Sequence, residues 1–208
     1  MALSGSKGDC EQLKQDLLGF LTQELRLTLS SVKTKVTHAT AGKALFLGTW
    51  IRLTSQRSKP VWAVAYEGDT KIVPVFPRPQ LLAPISSTVE RLVEEGFAKR
   101  GREGNPTRVG RFIHLPLSEI VQRYTMIARG YLNYYSFVRN YVRMKARVLY
   151  ILQYSLALTI ASKMKLRTKR KVFKTYGPHL KVRGEGGKSF EFNLSEFPAS
   201  APGFKVGV

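Results

Sequence analysis

The chain has 208 residues, enough for one or two domains with a proper hydrophobic core, and its 43% hydrophobic and 11% aromatic content excludes a disordered composition. Lys and Arg number 34 against 14 Asp and Glu, a formal net charge of +20, which sets aside a typical metabolic enzyme and points to an anionic partner. The single Cys10 excludes an internal disulfide framework, and with only His38, His114 and His179 beside it there is no Cys/His zinc module.

In chain order, Leu13, Leu17, Leu18, Leu21 and Leu25 recur at helical spacing and predict an amphipathic helix over 9–24. Leu25, Leu27 and Leu29 then alternate, and the β-branched stretch 32–37 continues them, which reads as a strand pair or an extended segment. Residues 46–53 and 61–66 read as strands separated by the polar run 54–59, with 72–76 a weaker third. Pro74, Pro77, Pro79 and Pro84 should then end the strand region. A short helix follows, capped by Ser86 or Ser87, with Val89, Leu92 and Val93 inward and Gly96 as its stop. The Gly-rich basic stretch 99–111 reads as a mobile loop, either a solvated linker or an RNA contact. Ser118 and Glu119 open the next helix, whose apolar stripe is Ile120, Tyr124, Ile127, Tyr131, Leu132 and Tyr135. No Gly or Pro interrupts 137–163, so a long helix should run there as a buried spine. Tyr176, Gly177 and Pro178 end the helical region, and the tail 184–208 has little drive to fold alone, though Phe190, Phe192, Phe197 and Phe204 could dock on a partner. The fold class is therefore α+β, divided as 1–79, a small helix-plus-strand region; 80–117, a helix and basic loop; 118–180, a mainly helical domain; and 181–208, a tail.

Charge is unevenly placed. Residues 120–184 hold 15 Lys or Arg and no acid, leaving 34 − 15 = 19 basic and all 14 acidic residues elsewhere. Cations without internal counter-charge suit a polyphosphate, with a solvated basic face as the plain alternative. The uncharged stretch 148–161 is too short to span a bilayer, which takes roughly 20 residues. The first 30 residues mix acids with bases and lack an apolar signal core, so neither a membrane role nor a cleaved leader is expected. Catalysis has no visible seat. The only aspartates are Asp9, Asp16 and Asp69, with no adjacent pair for two-metal chemistry, no Walker-type loop and no nucleophile elbow. The expectation is a binding protein, not an enzyme.

The motifs Tyr131-Leu-Asn-Tyr-Tyr-Ser-Phe137, Tyr150-Ile-Leu-Gln-Tyr-Ser-Leu-Ala157 and Lys171-Val-Phe-Lys-Thr-Tyr-Gly177 resemble domain X of group II intron maturases, especially organellar ones. Upstream, Phe20-Leu-Thr-Gln-Glu-Leu-Arg-Leu-Thr-Leu29, Lys33-Thr-Lys-Val-Thr-His38 and Phe46-Leu-Gly48 are similar to the end of the reverse-transcriptase palm of those proteins. The resemblance makes 1–79 a palm remnant, 80–117 the thumb and 118–180 domain X. It implies that the catalytic aspartate pair lies upstream of the matching region, so DNA synthesis is not expected; nor is an HNH-type endonuclease expected in the 31 residues after Gly177, which lack the set of His and Cys that module needs. The chain departs from the family where Val138-Arg139-Asn140 replaces Ala-Asp-Asn, and where Leu158 and Ser162 replace basic residues.

Intron binding follows as an expectation, with the RNA and its own magnesium ions doing the chemistry and no cofactor on the protein. The candidate RNA contacts are Lys163, Lys165, Arg167, Lys169, Arg170, Lys171 and Lys174 on the basic run, then Arg139, Arg143, Lys145 and Arg147 on the long helix. Tyr131, Tyr135 and Phe137 read as core, and Tyr134 is the exception. Three roles stay open: a truncated maturase assisting splicing of organellar introns; a former maturase built into a ribonucleoprotein such as the mitochondrial ribosome; and one piece of a split enzyme whose reverse-transcriptase half is encoded separately. The expected compartment is the mitochondrion, ahead of the chloroplast.

Overall fold

The computed structural model describes residues 5–30, 34–53, 61–64, 70–73, 79–101, 104–184, 187–195 and 197, with 61–64 and 70–73 as backbone. The polar run 54–59, Tyr66, Pro74, Phe76, Pro77 and Phe204 lie outside the described residues. The chain forms two units, Met1–Ala44 with Arg52–Pro79, and Leu45–Ile51 with Gln80–Val208.

In the first unit, helix α1 spans Lys7–Gln23. Its start is fixed by a capping box, in which the Ser6 hydroxyl accepts from the Asp9 N–H and the Asp9 carboxylate accepts from the Ser6 N–H. No α1 residue is buried; Leu17 and Phe20 are 43% and 53% exposed. Of the segment that follows, 24–30 and 34–38 carry no strand, so the alternation of Leu25, Leu27 and Leu29 does not mark a ladder. Two later strands of this unit, named β3 (Val61–Val64) and β4 (Thr70–Val73), pair antiparallel with Val61 opposite Val73.

The expected strand 46–53 is a hairpin of β1 (Ala44–Phe46) and β2 (Thr49–Leu53). Leu47 and Gly48 both take left-handed backbone, φ 45° and 68°, the geometry of a two-residue hairpin turn. Strand β5 (Pro79–Leu82) extends the sheet in the order β1-β2-β5. Strand structure therefore resumes at the last proline but one of the cluster, because the first residue of a strand can be proline. Helix α2 (Ile85–Glu94) starts after Pro84 with no side-chain cap, correcting the serine assignment, and ends before Gly96, whose φ is +83°.

Of the stretch expected to be a mobile loop, the described residues include paired strands and two buried positions, Gly104 and Val109. Strands β6 (Ala98–Lys99) and β7 (Asn105–Pro106) form a small hairpin, and Val109 and Phe112 are buried. At Gly104, φ +70°, a Cβ would lie 2.8 Å from Val89 Cγ1 and 3.2 Å from Ile151 Cδ1, so only glycine lets this turn sit against the core.

Helix α3 (Leu117–Tyr134) follows Pro116, with Ser118 inside its first turn rather than capping it. Helix α4 (Tyr141–Lys163) starts four residues later than expected. The reason lies in β5: the Arg139 N–H donates to Leu81 O at 2.9 Å, and the Asn140 side chain donates to Ala83 O at 3.0 Å while accepting from the Ala83 N–H at 2.8 Å. With the Arg139 N–H and the Asn140 side chain engaged at Leu81 and Ala83, and 135–138 in local turns, the chain does not continue the helix until Tyr141. From Tyr141 to Ala161, α4 is the buried spine, with Met144, Ile151, Leu152, Leu156 and Ile160 inaccessible. Helix α5 (Lys169–Tyr176) packs on it through Val172. Strands β8 (Val182–Arg183) and β9 (Ser189–Phe190) pair against α3. Phe192 and Leu194 are buried in the same core, with Phe190 and Phe197 packed against it. The tail's aromatics at 190, 192 and 197 thus dock on their own chain, not on a partner.

Candidate nucleic-acid interface

The basic run is presented by the turn from α4 to α5. Lys165 and Arg167 both adopt left-handed backbone, φ 55° and 58°, and the Leu166 N–H between them returns to Ala161 O at 2.9 Å while its side chain packs on the core. Thr168 caps α5, its hydroxyl accepting from the Lys171 N–H at 3.4 Å, a long bond. Lys165, Arg167, Lys169, Arg170, Lys171 and Lys174 are exposed. Among the described residues, Lys165, Arg167, Arg170, Lys171 and Lys174 make no side-chain hydrogen bond or ion pair; Lys169 Nζ lies 4.6 Å from the centre of the Tyr154 ring.

Three of these cations occupy the first turn of α5, the positive end of a helix, where acids are normally favoured. Side-chain charge and backbone N–H groups there add potential of one sign, unfavourable in the free protein and attractive to phosphate.

The other candidates divide. Arg139, just before α4, and Arg143 in its first turn are exposed. Arg143 and Lys163 are 20 residues apart on one helix, about 30 Å at 1.5 Å per residue, so the two ends of α4 carry separate patches. Lys145 and Lys163 are half-buried and act inside the fold: Lys145 Nζ donates to Phe197 O at 2.6 Å and Lys163 Nζ to Ile113 O at 2.8 Å. Arg147 is half-buried and already engaged within the chain. Tyr131 and Tyr135 belong to the core or its edge, whereas Phe137, read as core, is exposed in the turn before α4; the exposed Tyr134 is pinned by its hydroxyl to Leu47 O.

Two features escaped the sequence pattern. Arg108 Nη1 donates to Ser162 Oγ at 3.0 Å, so a cation from 54 residues upstream is brought to the C-terminal end of α4. Beside the basic run, Tyr150 and Tyr154 on α4 and Phe173 on α5 form an aromatic cluster, with ring centres 4.9 Å and 5.9 Å apart. Gln153, Tyr154, Phe173 and Pro178 line an open pocket of about 450 Å³ there. The i, i+4 spacing of the two tyrosines was a signal, but one equally compatible with core. Among the described residues no group of three His, Cys, Asp or Glu could hold a metal ion, and no helix is long and apolar enough to cross a membrane.

The family model of the type II intron maturase matches residues 77–205, well over half the chain. The chain belongs to the type II intron maturase family. It is 39% identical over 181 residues to the COX1/OXI3 intron 1 protein of Saccharomyces cerevisiae, covering 86% of this chain and 22% of that one. It is 29% identical over 172 residues to the group II intron-encoded protein LtrA of Lactococcus lactis subsp. cremoris, covering 79% and 27%. A mitochondrial protein of Marchantia polymorpha is 33% identical over 149 residues, covering 71% and 20%. The chain thus spans about a fifth to a quarter of the length of these relatives.

Proposed function

We propose that this maturase-family chain binds folded group II intron RNA in the mitochondrion and assists its splicing. The protein holds the RNA, and the RNA with its own magnesium ions carries out transesterification. The chain itself has no catalytic step and no cofactor. The observation that carries this is the exposed cationic face at residues 165–174, set on the positive end of α5 in a 65-residue stretch without an acid. Arg139 and Arg143 form a second contact at the far end of α4, while Lys145 and Lys163 brace the fold. Structured RNA is read through backbone and shape, which suits separated cationic patches on a rigid helix. Two of the relatives named above are intron proteins by name and a third is a mitochondrial protein, which favours the intron over ribosomal RNA as the partner.

Reversing Lys169, Arg170 and Lys171 to Glu tests this in a filter-binding titration against group II intron RNA. Affinity should fall strongly, and the slope of log K against log salt should flatten by roughly 0.7 to 0.9 per lost phosphate contact, up to about 2 to 3 in all. Unchanged affinity and slope would mean a merely solvated face. Ultraviolet crosslinking of the tagged protein in mitochondria then identifies the RNA: reads in group II intron domains support the splicing role, and reads in ribosomal RNA overturn it.

A further inference from the structure

We infer that the pocket between α4 and α5 is a stacking site for an unpaired RNA base, which rests on the intron-binding reading above. One face of α4 carries, at spacings of four, three and four, Arg143, Arg147, Tyr150 and Tyr154. The exposed Arg143 and the already engaged Arg147 are thus followed by two aromatics along one helical stripe. At its end the Tyr154 and Phe173 rings meet edge to face at 5.9 Å, and Tyr150 leans on Tyr154 at 4.9 Å with 44% of its own surface exposed. A half-exposed tyrosine ring beside a mainly aromatic open pocket is not a core arrangement; it offers a π-face to a planar ligand.

The polar groups around the rings suit a nucleotide. Gln153 Nε2 donates to Pro178 O at 2.9 Å, which fixes the amide and leaves its carbonyl oxygen to accept from a base N–H. Lys169 lies over the Tyr154 ring at 4.6 Å, so a base stacked in the pocket would bring its phosphate toward Lys169 and the neighbouring Arg170. The pocket is open and of about 450 Å³, so a base could enter it from the surface while its sugar and phosphate stay outside. The absence of any acid from 120 to 184 favours an anionic occupant over a neutral aromatic molecule. Single-stranded nucleic acid is bound by this combination, a cationic track with aromatic platforms.

The full chain is titrated into a short single-stranded oligoribonucleotide carrying one 2-aminopurine, whose fluorescence is quenched on stacking. Quenching on binding is expected, with Tyr150→Ala and Tyr154→Leu abolishing it and weakening affinity about tenfold at an unchanged salt slope. Tyr150→Phe should keep both. Lys174→Gln should reduce the salt slope and leave the quenching. Tyr154→Leu keeps apolar volume against Phe173, and Tyr150→Ala truncates a half-exposed ring, so the test survives failure of either variant to fold. Binding without quenching, or unchanged affinity in Tyr150→Ala, overturns the stacking site and leaves the cationic face standing. No binding by the native chain, either to the oligonucleotide or to intron RNA, overturns the underlying reading as well.

Discussion

Thr159 shows how much a single buried hydroxyl can hold. It donates to Ser155 O at 2.8 Å and accepts from the Val109 N–H at 3.1 Å, while Tyr124 Oη lies 3.0 Å from it and 3.0 Å from Ser155 Oγ. Ser155 Oγ in turn donates to Thr107 O at 2.6 Å. Burial pushes the Tyr124 phenol up, partly offset by these hydroxyls, so it remains the neutral partner that the network needs. The set joins α3 and α4 to residues 107–109, which is why this part of the glycine-rich basic stretch lies against the core. Thr159→Val keeps the side-chain shape but strands a buried N–H at Val109. An unsatisfied buried donor costs about 1–3 kcal/mol, so thermal unfolding should shift down by several degrees. Ser162→Ala, at the exposed bond to Arg108, should leave the same melting curve within a degree.

At the scale of elements, periodicity was legible and boundaries were not. Stripes such as Ile120, Tyr124 and Leu132 announce α3 because a 3.6-residue period is a local property. The start of α4 was misplaced because Asn140 is tied to Ala83, a partner 57 residues away that no local window contains. For the same reason the basic run was visible as charge, whereas the intramolecular use of Lys145 and Lys163 was not. The cationic first turn of α5 leads to a prediction that separates function from stability. Lys169→Glu and Lys171→Glu place acids at the positive helix end, so each should stabilise the free protein at low salt by about 0.3–1 kcal/mol even as RNA binding falls. Raising the salt should erase that gain, since the groups are exposed. Thr168→Ala should act the other way, lowering stability by about 0.5–1 kcal/mol through the lost cap, with the length of the Thr168 bond placing it toward the lower end. Urea titrations at two ionic strengths check all three. A loss of RNA binding in a variant that is more stable cannot be ascribed to unfolding.

Across the whole molecule, stability must be unevenly distributed. The second unit contains a continuous core from Ala83 to Leu194, in which α3, α4 and the tail share buried side chains. In the first unit, α1 has an ideal start but buries none of its 17 residues. Helices of that length are marginal in water when nothing packs on them, and in proteins most helical stability comes from an apolar face that is covered. Native-state hydrogen exchange should therefore find α4 amides opening only with global unfolding, while α1 amides exchange through local opening with protection lower by orders of magnitude. Denaturant should accelerate exchange in α4 steeply and in α1 hardly at all, because little surface is exposed when α1 opens. Leu17→Ala should accordingly cost almost nothing in global stability, against about 2–5 kcal/mol for Leu156→Ala in the spine. Protection of α1 equal to that of α4 would show its leucines to be covered in solution, and dilution would then tell whether a second copy covers them. RNA bound at α4 and α5 should raise protection in the second unit and leave α1 exchanging as before.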